Sequence, residues 1–158
     1  MKRILFIFTL ILAVVANVPA QKREKNKNTK AENTNVVVMK TTTMKITVGD
    51  KTFTATLEKN SSAQALVELL EKGDISIDME DNSDMEKVGP LGSALPRNDR
   101  PTTTTAGDLI LYQGNKFTID YNPNSWSLTR LGKINNTTRE ELMNALGKGD
   151  VTVTLSVE

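Results

Sequence analysis

The chain contains no cysteine and no histidine among its 158 residues. The first absence excludes disulfides, thiol nucleophiles and a lipidated cysteine, so any fold must be held by its core alone. The second excludes serine–histidine triads, histidine-based acid–base chemistry and ordinary zinc sites. Serine and threonine are plentiful, but without a histidine base none of them is a candidate nucleophile. Aromatic residues make up only 4%, with a single tryptophan, so the interior has to be aliphatic. A membrane-spanning run is also missing: the apolar stretch Ile4–Val15 falls short of the roughly 20 residues a bilayer requires.

That short run has another meaning. Lys2 and Arg3 precede it, and Val18-Pro19-Ala20 follows with small residues where signal peptidase cuts. Residues 1–20 are therefore expected to be a signal peptide, cleaved before Gln21, that exports the protein to the periplasm or beyond. The competing reading keeps the segment as an uncleaved anchor. The hydrophilic stretch after Ala20 favours cleavage, which leaves no stable membrane span. Residues 21–43 hold six basic and two acidic side chains and read as a flexible basic linker. The alternative is a basic arm that docks on anionic lipid or on the acidic domain. Residues 44–158 hold twelve basic and seventeen acidic side chains, so this part repels phosphate backbones and nucleic acid is not an expected partner.

From Met44 the pattern has period two. Met44, Ile46 and Val48 alternate with Lys45 and Thr47; Phe53, Ala55 and Leu57 alternate with threonines; Gly49-Asp50 lies between. This predicts a β-hairpin with one buried and one wet face. A helix follows, capped by Ser61 or Ser62, striped by Leu66, Leu69 and Leu70, and stopped at Gly73. Ile75, Ile77 and Met79 then begin a strand. The unit recurs: "SSAQALVELLEKGDISIDM" aligns without a gap on "TTREELMNALGKGDVTVTL", where Thr138 and Glu141 form a capping box. Between the copies, "DLILY" is apolar on both parities and predicts a strand covered on both sides. "KFTIDY" has Phe117, Ile119 and Tyr121 on one face, and "WSLTRLGKI" is expected to be a strand ending near Gly132. Short strands at close spacing with two helices predict a mainly β, closed or strongly curled sheet.

Several stretches carry candidate chemistry. Arg97-Asn98-Asp99-Arg100 is the densest set of bidentate donors and would suit an anionic ligand or a peptide. In the other reading, Asp99 pairs with one arginine and only organises the loop. Trp126, Leu128 and Arg130 share a face if their segment is a strand, with Trp126 either a binding anchor or a plug in the barrel end. Tyr112 and Tyr121 could supply hydroxyls to the same rim. "DMEDNSDME", Asp78–Glu86, is rich in oxygen ligands, but Ser83 and Gly89 stand where an EF-hand needs glycine and glutamate, so a solvated acidic loop is expected. The sequons at Asn60 and Asn135-Asn136 are expected to be idle, and their Ser61, Ser62, Thr137 and Thr138 are better explained as helix caps.

"EKVGPLGSALPRNDRPTTTTAGDLILYQGNKFTIDYNPNSWSLTRLGKI", Glu86–Ile134, resembles the bacterial cyclophilin-like domain family. The likeness covers about residues 44–158. Its most specific parts are Leu95-Pro96-Arg97, Gly107-Asp108 through Leu111-Tyr112-Gln113-Gly114, and Ser125-Trp126 through Thr129-Arg130-Leu131-Gly132. The resemblance implies a closed cyclophilin-like β-barrel with two capping α-helices over residues 44–158. It does not carry activity with it. The segments that true cyclophilins share (Phe-x-Arg-Ile/Val, Gln-Gly-Gly-Asp, an Asn-Phe-Phe-Ile-type pocket strand and a later histidine) are missing, and Gln113-Gly114 is only a fragment. The expectation is an exported, non-catalytic binding domain with no catalytic residue, cofactor or metal. It would hold a small ligand, peptide or partner protein at a rim formed by Arg97, Asp99, Arg100, Tyr112, Trp126 and Arg130. The alternative is a divergent peptidyl-prolyl isomerase.

Overall fold

The alternation that begins at Met44 becomes strand after strand in the computed structural model, which describes residues 42–157. The expected signal peptide and all of the expected linker except Thr42 and Thr43 lie outside the described residues. Thr43 already belongs to the first strand. In chain order the elements are β1 (Thr43–Val48), β2 (Lys51–Leu57), α1 (Ser61–Leu70), β3 (Ile75–Asn82), β4 (Glu86–Pro90), β5 (Arg100–Thr103), β6 (Asp108–Tyr112), β7 (Lys116–Asp120), β8 (Ser125–Ile134), α2 (Arg139–Leu146) and β9 (Val151–Val157). Among the described residues no helix is long and apolar enough to cross a membrane.

Eight of the strands close on themselves in the order β2-β1-β9-β3-β4-β7-β6-β8, with β8 returning to β2. β5 adds a ninth strand along the first part of β8, from Ser125 to Leu128. The protein is thus mainly β, an eight-stranded closed barrel with two helices. Its interior is aliphatic, as the scarcity of aromatics requires: Met44, Ile46, Ile77, Leu109, Ile119 and Leu155 are among the residues fully buried there. Leu66 and Leu70 of α1 and Leu142 and Leu146 of α2 join the same core.

The β1–β2 hairpin forms in the expected register, with Val48 opposite Lys51 across Gly49-Asp50. Only Gly49 of the two turn residues has positive φ, at 57°, the pattern of a type II′ turn. The two helix–strand copies meet in the barrel wall. β3 pairs antiparallel with β9, with Ile77 opposite Val153, Ile75 opposite Leu155 and Met79 opposite Val151. Val153 is the repeat counterpart of Ile77, and exchanging the copies maps every pair onto another. The repeats are therefore related by a local two-fold axis between Ile77 and Val153.

Three expectations change. Asn60, not Ser61 or Ser62, caps α1: its side chain accepts from Ala63 N at 2.8 Å. Ser62 instead donates to Pro96 O and accepts from Asn98, which ties the 96–98 segment to the helix. Asp78–Glu86 is not a loop. β3 continues to Asn82 and turns through Ser83 and Asp84, both at φ 55°, into β4. There Asp81 faces inward and receives hydrogen bonds from the buried Lys87 at 2.6 Å and from Tyr121 at 2.7 Å. Lys87 also donates to Gly149 O at 2.6 Å. Finally, β8 runs past Gly132 to Ile134, and part of the presumed loop before β6 is β5. Pro101 is compatible with β5 because that strand lies at the sheet edge.

Candidate functional site

β6 and β7 are covered on both sides. Leu109, Leu111, Phe117 and Ile119 fill the barrel, while Ile110, Thr118 and Asp120 leave the other face and are just as deeply buried. A β-bulge between β6 and β8 (Leu109 faces Gly132, but Ile110 faces Arg130) re-aims the start of β8. Arg130, Leu128 and Trp126 then alternate on this outer face.

Here a cleft of about 190 Å³ opens, with Ile110 and Leu128 as its apolar floor and Tyr112 and Trp126 as its aromatic sides. Trp126 is 67% exposed and is the one large hydrophobic side chain exposed among the described residues. It does not plug the barrel, which corrects that reading. Lys116 lies over the Tyr112 ring at 6.0 Å. The polar end of the cleft carries Glu86, with Asn82 and Asn124 beside it.

Glu86 is the cross-strand partner of Asp120, so both carboxyl groups leave the same face. Asp120 is fully buried. Thr118 Oγ1 donates to its Oδ1 at 2.8 Å, and its Oδ2 has no partner. Burial pushes the pKa of its carboxyl up to about 7; the Thr104 and Thr118 hydroxyls oppose the shift, and the Glu86 and Asp108 charges add to it. Asp108, also buried, is compensated by Lys133 at 3.0 Å and Arg130 at 3.1 Å. Glu86 has no such cation among the described residues; Asn82 Nδ2 donates to it at 2.9 Å.

A second cavity, about 300 Å³, lies by β5. Arg100 and Arg130 line it with Glu58, Asn60, Pro101, Thr102 and Thr103. Arg130 also donates to Thr103 O at 3.3 Å, and its buried Nε has no partner. Arg97 and Asp99 line neither cavity. They pair with each other through both Nε and Nη2 of Arg97, and the Arg97 stem packs against Gly114. Asp99 also accepts from Thr129, and together Arg97 and Thr129 hold its carboxyl below the usual aspartate range. Of the six residues expected at the rim, Tyr112 and Trp126 share one cavity, Arg100 and Arg130 share another, and Arg97 and Asp99 form a separate ion pair.

The residues missed from sequence are Glu86, Asp108 and Asp120. Asp120 follows the alternation of "KFTID" on the polar parity, and that parity ordinarily means solvent. The available signal was "DLILY": a neighbouring strand that is apolar on both faces implies a second covered layer, and that layer extends over β7. Among the described residues no cluster of three or more carboxylates could hold a metal ion.

Comparison with known proteins bears on this arrangement in two ways. No curated protein matches the chain. The sequence profile of the Cyclophilin-like family matches residues 46–156, nearly the whole described barrel.

Proposed function

The chain belongs to the cyclophilin-like family, and from that premise we propose that it is an exported, non-catalytic binding domain, with the two helices closing the barrel ends. It holds a small ligand, peptide or partner protein on the outer face beside β8. Tyr112 and Trp126 supply the aromatic grip and Arg100 and Arg130 a polar one, while the Arg97–Asp99 pair keeps the intervening loop in shape. The observation that carries this reading is the exposure of Trp126 over a formed cleft, because a lone exposed tryptophan flanked by a tyrosine is a common binding anchor. Export rests on Lys2-Arg3, the Ile4–Val15 run and Val18-Pro19-Ala20; an N-terminus at Gln21 on the protein recovered outside the cytoplasm is the expected result.

Prolyl isomerisation would need an apolar seat for the proline ring next to an arginine that stabilises the twisted amide. The aromatic cleft has no arginine in its lining, and the cavity with both arginines is lined by polar groups and Pro101. A protease-coupled proline-peptide assay is expected to give the spontaneous rate; a faster rate would replace the binding reading with the enzymatic one. Binding is tested with terminally capped tetrapeptides bearing acidic, neutral or basic side chains, followed by Trp126 fluorescence. At least one class should shift the emission, and Trp126→Ala, which removes the chain's single tryptophan and is therefore read by titration calorimetry, should abolish its binding with little change in melting temperature. If no class shifts the emission, the cleft is not a binding site.

A further inference from the structure

We infer that the Tyr112–Trp126 cleft takes a cationic side chain of a peptide partner, a guanidinium foremost, and that Glu86 in its lining, backed by the buried Asp120 on the next strand, forms the anionic end that recognises it. This rests on the binding reading above and names the chemistry of its ligand.

Size is the first argument. About 190 Å³ is below the roughly 300–1,000 Å³ usual for a whole small-molecule ligand, and suits one long side chain. The lining is the second. Two aromatic faces, Tyr112 and Trp126, flank an apolar floor of Ile110 and Leu128, an arrangement on which a planar cation stacks with its stem against the floor. Charge is the third. Glu86 is 8% exposed and has no cation against it among the described residues, and Asp120 is fully buried with one carboxyl oxygen unpartnered. A buried carboxylate without a cation is costly, and a cation entering the cleft would relieve that cost.

The charged groups around Asp120 are Glu86 on β4 and Asp108 on β6. Asp108 is already neutralised by Arg130 and Lys133, and Lys116 sits at the other end of β7 over the Tyr112 ring. Asp120 therefore exchanges its proton near neutral pH beside Glu86. A guest cation favours the charged form of Asp120, so binding expels that proton and tightens as pH rises.

The test uses a capped tripeptide with a central arginine and the same tripeptide with citrulline, titrated against the full chain by Trp126 fluorescence. The arginine peptide should bind, with the neutral isostere weaker by about tenfold or more. Its affinity should rise several-fold from pH 6 to pH 8. Asp120→Asn should flatten that rise, and Glu86→Gln, which preserves the Asn82 hydrogen bond, should cost the arginine peptide about tenfold and leave the citrulline peptide unchanged. Equal binding of arginine and citrulline overturns the inference while the cleft remains a binding site. Binding of an acidic peptide alone overturns it in the same way. If neither tripeptide nor any other peptide class moves Trp126, both readings fall.

Discussion

Asp120 shows how a single residue can act against the stability of its own fold. In the unfolded chain its carboxyl releases its proton near pH 4, whereas in the folded protein burial keeps the proton on up to about pH 7. Between those values the folded state binds more protons than the unfolded one, so this residue makes stability fall as pH rises. The loss is complete above pH 7. An asparagine at this position would be neutral throughout and free of the penalty. The Asp120→Asn variant is expected to track the wild type at pH 4 and to exceed it at pH 8 by up to a few kcal/mol, read as a melting-temperature difference that widens with pH. A constant difference would mean that Asp120 titrates normally. Asp81 has the opposite sign. Lys87 and Tyr121 hold its carboxyl below the ordinary range, so its contribution is present at neutral pH and lost only as pH falls through the acid range.

At the scale of elements, the two helices begin alike in sequence and differently in structure. Thr138 and Glu141 make a reciprocal capping box at the surface, which the spacing announces. At α1, Asn60, Ser61 and Ser62 are all good caps, and local propensity cannot rank them. The long-range contacts decide: Ser62 is committed to Pro96 and Asn98, and Asn60 donates to Arg130 O at 2.8 Å while capping Ala63. Thr138→Ala is thus expected to cost about 1 kcal/mol, the ordinary worth of a cap. Asn60→Ala should cost about 1 kcal/mol more, because a β8 carbonyl also loses its donor. Urea unfolding of both variants checks the order, and equal losses would show that the Arg130 contact contributes nothing. Strand interiors are legible for a related reason. Where one face is wet, as in β1 and β2, alternation names the core residues directly. In β7 it does not, because Thr118 and Asp120 are covered by a layer that β7's own pattern does not encode and only the neighbouring β6 signals. The acidic run at Asp78–Glu86 misleads in the same way: its charges suggest solvent, but Asp81 turns inward to meet a lysine on the next strand.

At the scale of the whole molecule, the family likeness and the repeated helix–strand unit make the barrel legible, but its closure depends on contacts distant in sequence. The local two-fold between β3 and β9 organises one side of the wall. On the other side the seam is the short β2–β8 pairing, Ala55 to Leu57 against Ile134 to Gly132. Gly132 sits at its end. A Cβ there would lie 2.5 Å from Thr56 O and 3.1 Å from Leu57 Cα, both backbone atoms that cannot rotate away. Its backbone is not in the left-handed region, so the requirement is for space and not for a special φ. β8 also carries Trp126, Leu128 and Arg130, so the seam and the cleft share one strand. Gly132→Ala should force the seam apart and destabilise the protein by about 1–3 kcal/mol, the usual cost of overpacking a tight site. Gly149→Ala, where a Cβ meets nothing within 4 Å but φ is +78°, tests backbone strain alone. Thermal unfolding with hydrogen exchange on β2 and β8 separates the two. Lost protection at Ala55–Leu57 and Leu131–Ile134 in Gly132→Ala, with those amides unchanged in Gly149→Ala, is the expected outcome. Unchanged protection in Gly132→Ala would mean that the barrel closes without needing this glycine.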